Sequence, residues 1–286
     1  MRPRHPLLYT AASAVCFAAM ALAAKLAAAR LSGSEVAFLR FALMLGPLLV
    51  PAIARQALAF QRLDLLVDRG VFGGVAVLLY FLAIAHLPVG LATLLNYSSP
   101  VFSVLFAALL LRERLDARLL LPLVAALAGM ALAVGIGSGT GFRLDRWEAA
   151  GLASSVLSGA AVTAIRAARR TESSWSIYGS FTLCGLLATA PFALAGFRPP
   201  TPREWLLLVA VGVTSIGAQF LMTYAYRWVT NLQAGIMAQL TVVLSLWLGA
   251  LVLGDRLLPL QIVGCALTLA GVVGVVAVQA TPRAVE

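Results

Sequence analysis

The 286-residue chain has eleven acids, one lysine, two histidines and three cysteines, and each shortage excludes something. Cys16, Cys184 and Cys265 fall in separate apolar runs without pair spacing, so neither a disulfide framework nor a thiolate metal site is expected. His5 and His86 are far apart with no acid paired to either, and no G-x-S-x-G, H-E-x-x-H or Walker sequence occurs. Enzymatic chemistry, a cofactor and a metal are therefore not expected. Charged residues make up only 11% of the chain against 62% hydrophobic, with a mean hydropathy of +0.96. A soluble domain of this length has no means of burying that much apolar surface, so the chain belongs in a membrane. The net charge of +10 comes without a basic tract interleaved with aromatics, which excludes nucleic acid as a partner.

What is present is a series of long apolar runs. A helix rising about 1.5 Å per residue needs about 20 residues to cross a 30 Å hydrocarbon core. Ten runs approach that length, near 7–29, 35–54, 64–85, 89–111, 117–137, 147–168, 174–196, 204–226, 231–253 and 258–279. They are continuously apolar rather than alternating, so helices are expected and a barrel is not. The run after Arg2 and Arg4 is too long for a cleaved signal and reads as a first span. With the N-terminus inside, thirteen arginines fall on the cytoplasmic side and six on the other, which predicts both termini in the cytoplasm. Ser32-x-x-Glu35, Asp145-x-x-Glu148 and Thr201-Pro202-x-Glu204 are helix-start signatures.

The stretch FAALLLRERL at Phe106 to Leu115 nearly recurs as LGALVLGDRL at Leu248 to Leu257, an offset of 142 residues with Glu113 facing Asp255. The same offset pairs Ala92 with Ala234, Ser103 with Ser245, and Leu127-Ala128-Gly129 with Leu269-Ala270-Gly271. The expected architecture is an all-α integral membrane protein with ten transmembrane helices as two inverted five-helix repeats, 1–137 and 147–286, joined by a linker at 138–146. Each half has an odd number of spans, so matched helices run in opposite directions, an arrangement used by transporters that rock around one central site.

SEVAFLRFALMLGPLL (Ser34 to Leu49), LLYFLAIAHLPVGLATLLNYSSPVFSVLFAALLLRERL (Leu78 to Leu115) and AYRWVTNLQAGIMAQLTVVLSLWLGALVLGDRL (Ala225 to Leu257) resemble the EamA-like branch of the drug/metabolite transporter superfamily. The likeness covers nearly the whole chain. It departs from the usual pattern in the second half, where Gly254-Asp255-Arg256 replaces Gly-Glu-Arg. The resemblance implies a central cavity lined by spans 1, 3, 4, 6, 8 and 9. It leaves the substrate open, since relatives of this kind move amino acids, sugar phosphates, nucleotide sugars and drugs.

Polar residues inside the runs mark the candidate site. Asn96, Tyr97, Ser99, Pro100 and Ser103 cluster near the middle of span 4, where proline breaks the hydrogen-bond ladder and frees backbone polarity. Under the offset, Tyr97 pairs with Gln239, Ser99 with Thr241 and Ser103 with Ser245, so polar character recurs at matched depths. Cavity lining and interhelical hydrogen bonding both produce this pattern, and both readings stay open. Tyr80, Tyr224, and Ser154, Ser155 and Ser158 are further candidates. Lys25 either snorkels or attracts a carboxylate or phosphate at the outer mouth. Arg40 reads as a structural tie for span 2, while Gly70 and Gly74 allow close packing or gating.

All eleven acids sit at helix ends or in loops, which argues against proton exchange for lipophilic cations and for a neutral, zwitterionic or anionic solute. The expected function is secondary transport of small organic metabolites, in the export direction, across the cell inner membrane, by a monomer or homodimer surrounded by membrane lipid. A flippase for lipid-linked metabolites, a multidrug exporter, and a receptor or scaffold are the alternatives.

Overall fold

The computed structural model describes residues 6–49, 61–110, 117–133, 145–168, 171–225 and 231–280. They are helical throughout, with no strand among them. The α-helices are α1 (Pro6–Ala27), α2 (Gly33–Leu43), α3 (Leu63–His86), α4 (Val89–Tyr97), α5 (Ser99–Leu110), α6 (Leu120–Ala133), α7 (Arg146–Ala168), α8 (Ser174–Leu194), α9 (Pro202–Ala225), α10 (Asn231–Leu248) and α11 (Pro259–Ala280). Six helical stretches are long and apolar enough to cross a membrane: Leu8–Ala27, Leu63–His86, Arg146–Ile165, Ser174–Leu194, Pro202–Met222 and Pro259–Val278. Ala117–Ala133 and Met237–Leu253 are shorter apolar helices. Leu121, Leu187 and Leu206 stand outward and exposed, a surface suited to acyl chains rather than water.

Helix ends follow the start signatures. Ser32 and Glu35 form a complete capping box at α2, and Thr201 and Glu204 exchange the same reciprocal bonds at α9. At α7 only the return half forms, with the Asp145 backbone N–H donating to Glu148. The second apolar run is not one continuous helix. α2 ends at Leu43, and a short 3-10 turn follows at Gly46–Leu48, because Pro47 has no N–H to extend the ladder.

Close helix contacts are made at glycines. A Cβ on Gly74 would stand 2.7 Å from the Gly185 Cα, and one on Gly70 would lie 2.8 Å from the Ser180 carbonyl, so both seat α3 against α8. In the α6–α11 contact, Gly129 lies on Thr268 and Gly271 lies on Ala126. The largest core cluster fills the space among α1 to α4 and includes Ala21, Ala24, Val36, Ile84, Leu91 and Leu95.

The charged end of the recurring stretch has a definite structural task. After α10 the chain widens into a π-helical turn at Gly249–Leu253 and reverses at Gly254, whose φ of 67° is left-handed. That reversal brings Asp255 back so that its Oδ2 accepts the Val89 N–H, 3.0 Å away, at the start of α4. Gly254→Ala is expected to cost about 1–2 kcal/mol, because a Cβ in the left-handed region meets the following carbonyl. A thermal midpoint equal to that of the parent protein would show that the turn is not under this constraint.

Candidate functional site

Span 4 is broken where Pro100 predicted. α4 ends at Tyr97, Ser98 caps it, and α5 begins at Ser99. In an unbroken helix the Tyr97 carbonyl would accept from Val101, but Val101 donates to Ser98 instead, at 3.0 Å. The Tyr97 carbonyl accepts from Gln239 Nε2 of α10 at 3.4 Å, across 142 residues of sequence. Two residues matched by the repeat offset thus touch each other.

Around this contact the sequence candidates separate by partner. The Asn96 amide donates to Ser154 at 3.1 Å and Ser158 at 3.3 Å on α7, forming an interhelical polar link. Tyr80 shares a hydrogen bond of 3.0 Å with Thr93, and Ser103 donates to the Pro100 carbonyl at 2.9 Å. Ser99 and Pro100 remain partly exposed. Thr241 and Ser245 sit one turn apart on α10, and their hydroxyls are buried without a hydrogen-bond partner. Tyr224 belongs to the last turn of α9, and its side chain lies outside what the structure describes.

Lys25 is placed away from this centre. Its ammonium donates to the Ala85 carbonyl at 3.2 Å and the Leu87 carbonyl at 2.8 Å, and Asp255 caps the neighbouring start of α4. The two charged groups clamp the turn between α3 and α4. Arg40 is 2% exposed, donates from Nε to Ser215 at 2.8 Å, and stacks among Phe41, Phe81 and Phe181. It therefore ties α2 to α9 through the Ser215 side chain.

Sequence reading missed Arg69. Counted with the inner loops, it instead lies in α3, with its guanidinium carbon 4.2 Å from the Phe181 ring centroid. Gly73, one turn further on, gives the guanidinium its room, since a Cβ there would collide with it. An arginine followed four residues later by glycine was the available signal.

The EamA-like transporter family profile matches residues 5–135 and again 145–277. The chain belongs to the EamA-like transporter family. Similar proteins include the pseudopaline exporter CntI of Pseudomonas aeruginosa, 33% identical over 214 residues, covering 73% of this chain and 74% of that one. An uncharacterized transporter of Archaeoglobus fulgidus is 28% identical over 208 residues, 72% of this chain and 74% of its own. A solved crystal structure aligns over 98% of both chains with a TM-score of 0.63 and 22% identity, a likeness of fold. This EamA-like protein is accordingly a multi-pass transmembrane transporter whose partner is a small-molecule substrate.

Proposed function

We propose that this transporter exports small polar metabolites across the cytoplasmic membrane by alternating access, with both termini in the cytoplasm. Ten spans form two inverted halves, 1–137 and 147–286, that rock around one site. Substrate is held there by Asn96, Tyr97, Ser99 and Ser103 from span 4 and by Gln239, Thr241 and Ser245 from span 9, flanked by Tyr80 and Tyr224. Pro100 supplies the break, Gly70 and Gly74 the close contact on which α3 moves, and Lys25 and Arg40 the fixed supports at the mouth and on span 2. The observation that carries the site is the pair of buried, unpartnered hydroxyls of Thr241 and Ser245, on the helix whose Gln239 reaches the broken backbone of span 4. A buried hydroxyl without a partner is costly, and a polar solute relieves that cost.

Packing supports the repeat. The contacts Gly129 on Thr268 and Gly271 on Ala126 exchange places under the 142-residue offset, as contacts across a two-fold axis do. The likeness to the pseudopaline exporter of Pseudomonas aeruginosa supports export as the direction and a small metabolite as cargo.

A second reading rests on an apolar groove of about 380 Å³ among α1, α9 and α10, lined by Val15, Leu22, Leu207, Leu244 and Trp247. It suits the acyl chain of a lipid-linked metabolite.

Reconstituted liposomes decide. Gln239→Ala and Asn96→Ala are each expected to lower the initial rate of soluble-metabolite efflux about tenfold or more, the loss of one to two hydrogen bonds made to the moving solute. Unchanged kinetics at equal expression would remove these residues from the site. Transfer of a lipid-linked substrate between leaflets without soluble efflux would favour the flippase.

A further inference from the structure

We propose that Arg40 and Arg69 form an anion subsite that takes a carboxylate of the transported solute, an inference that rests on the transport reading above. Both guanidinium groups lie on one ring, with the Arg40 and Arg69 carbons 5.9 and 4.2 Å from the Phe181 centroid. Each has an idle donor: Arg40 Nη1 and Arg69 Nε are buried with no hydrogen-bond partner. Neither is neutralised, because the ion pairs among the described residues are Arg30 with Glu204 and Arg62 with Asp64. Arg40 also lies over Phe81, 5.6 Å from its centroid, and the Phe81 ring meets that of Tyr80 edge-on at 5.8 Å.

A buried cation and a partly buried one beside it without an anion are an unfavourable arrangement that stacking on phenyl faces offsets only in part. A carboxylate neutralises both and matches the planar fork of guanidinium donors. The absent Cβ at Gly73 keeps Arg69 turned toward Phe181, so the cradle depends on that glycine. A lipid phosphate is disfavoured as occupant. Arg40 lies seven residues into α2, about 10 Å along its axis, away from the depth at which headgroups reside. Through Phe81 the subsite adjoins Tyr80, which flanks the proposed centre, so one solute spans both: its carboxylate on the arginines, its neutral polar groups on spans 4 and 9.

The test is thermal unfolding of the purified full chain in detergent against citrate, glutamate, inorganic phosphate and phosphatidylglycerol. Citrate or glutamate is expected to raise Tm by about 5 °C at a hundredfold excess over its half-saturating concentration. Arg69→Gln and Gly73→Ala are each expected to raise that half-saturating concentration at least tenfold, while Arg62→Gln on the exposed surface leaves it unchanged. Gly73→Ala keeps both charges, so the question stays answerable if an arginine variant does not fold. The proposal is overturned if neither carboxylate shifts Tm, if the shift is the same in both variants, or if only phosphate or phosphatidylglycerol produces it. Binding needs no transport, so the two readings fail separately. A carboxylate shift in a protein whose Gln239→Ala variant transports normally removes the central site alone, and neutral-solute efflux without any carboxylate shift removes the subsite alone.

Discussion

Gly271→Val is expected to leave no monodisperse folded protein in detergent, and Gly129→Val is expected to do the same. A Cβ on Gly271 would stand 2.7 Å from the Ala126 Cα, and one on Gly129 would stand 2.6 Å from the Thr268 Oγ1. The obstacle in the first case is backbone, which has no rotamer to change. Inserting a methylene into a packed interior costs about 1–3 kcal/mol when side chains give way, and more when two helices must separate along their length. Gly196→Val is the control, because nothing lies within 4 Å of its added Cβ. Size-exclusion profiles of the three variants check this. A folded Gly271→Val protein would mean that the close approach of α6 to α11 does not depend on this glycine. Collapse of one variant but not its mate would break the symmetry argued from the offset.

Much of the fold was legible because apolar runs leave few options in a membrane: the backbone must satisfy itself, and a helix does so locally. The break between α4 and α5 was legible from Pro100 alone. Pro47 offered the same signal inside the second run but was read through, although Gly46-Pro47 is where α2 has already stopped. The π-helical turn at Gly249–Leu253 left no trace in composition. It arises from where Asp255 must go to cap α4, a tertiary demand that a local pattern does not carry.

The site divides in the same way. Tyr97 and Gln239 were legible as a pair matched by the 142-residue offset, but not as residues that touch. The partners of Asn96 were legible only as a shared polar face. Arg69 was not legible as an inward-turned charge, because its position six residues into α3 resembles an interfacial arginine free to snorkel. What turns it inward is space, the missing side chain of Gly73 beside the face of Phe181, and space is a property of three helices at once.

Acids at the membrane surfaces divide by how many backbone donors depend on them, and the largest single-acid effect is expected at Glu35. Glu35→Ala should lower stability by about 3 kcal/mol, because two part-buried backbone N–H groups lose their carboxylate acceptor together and a hydrogen bond to a charged group contributes about 1.5–3 kcal/mol. Glu35 is 2% exposed; its Oε2 accepts the Ser32 N–H at 2.6 Å and its Oε1 accepts the Arg198 N–H at 2.6 Å. One carboxylate thus closes the start of α2 and fastens it to the loop between α8 and α9. At the start of α3, Glu172 accepts the Arg62 N–H at 2.6 Å in a corresponding way. Asp64 has a salt bridge of the same length, 2.6 Å to Arg62, but both side chains are more than half exposed, at 54% and 59%. Asp64→Ala is therefore expected to change stability by no more than about 0.5 kcal/mol, since water replaces what the pair provides. For a chain of this size about 3 kcal/mol corresponds to a fall in Tm of roughly 6–12 °C, well separated from the control in one unfolding scan. Equal small shifts would mean that the Arg198 loop re-forms its hydrogen bonds without Glu35, and that this carboxylate is a cap for α2 but not a fastening between the two segments.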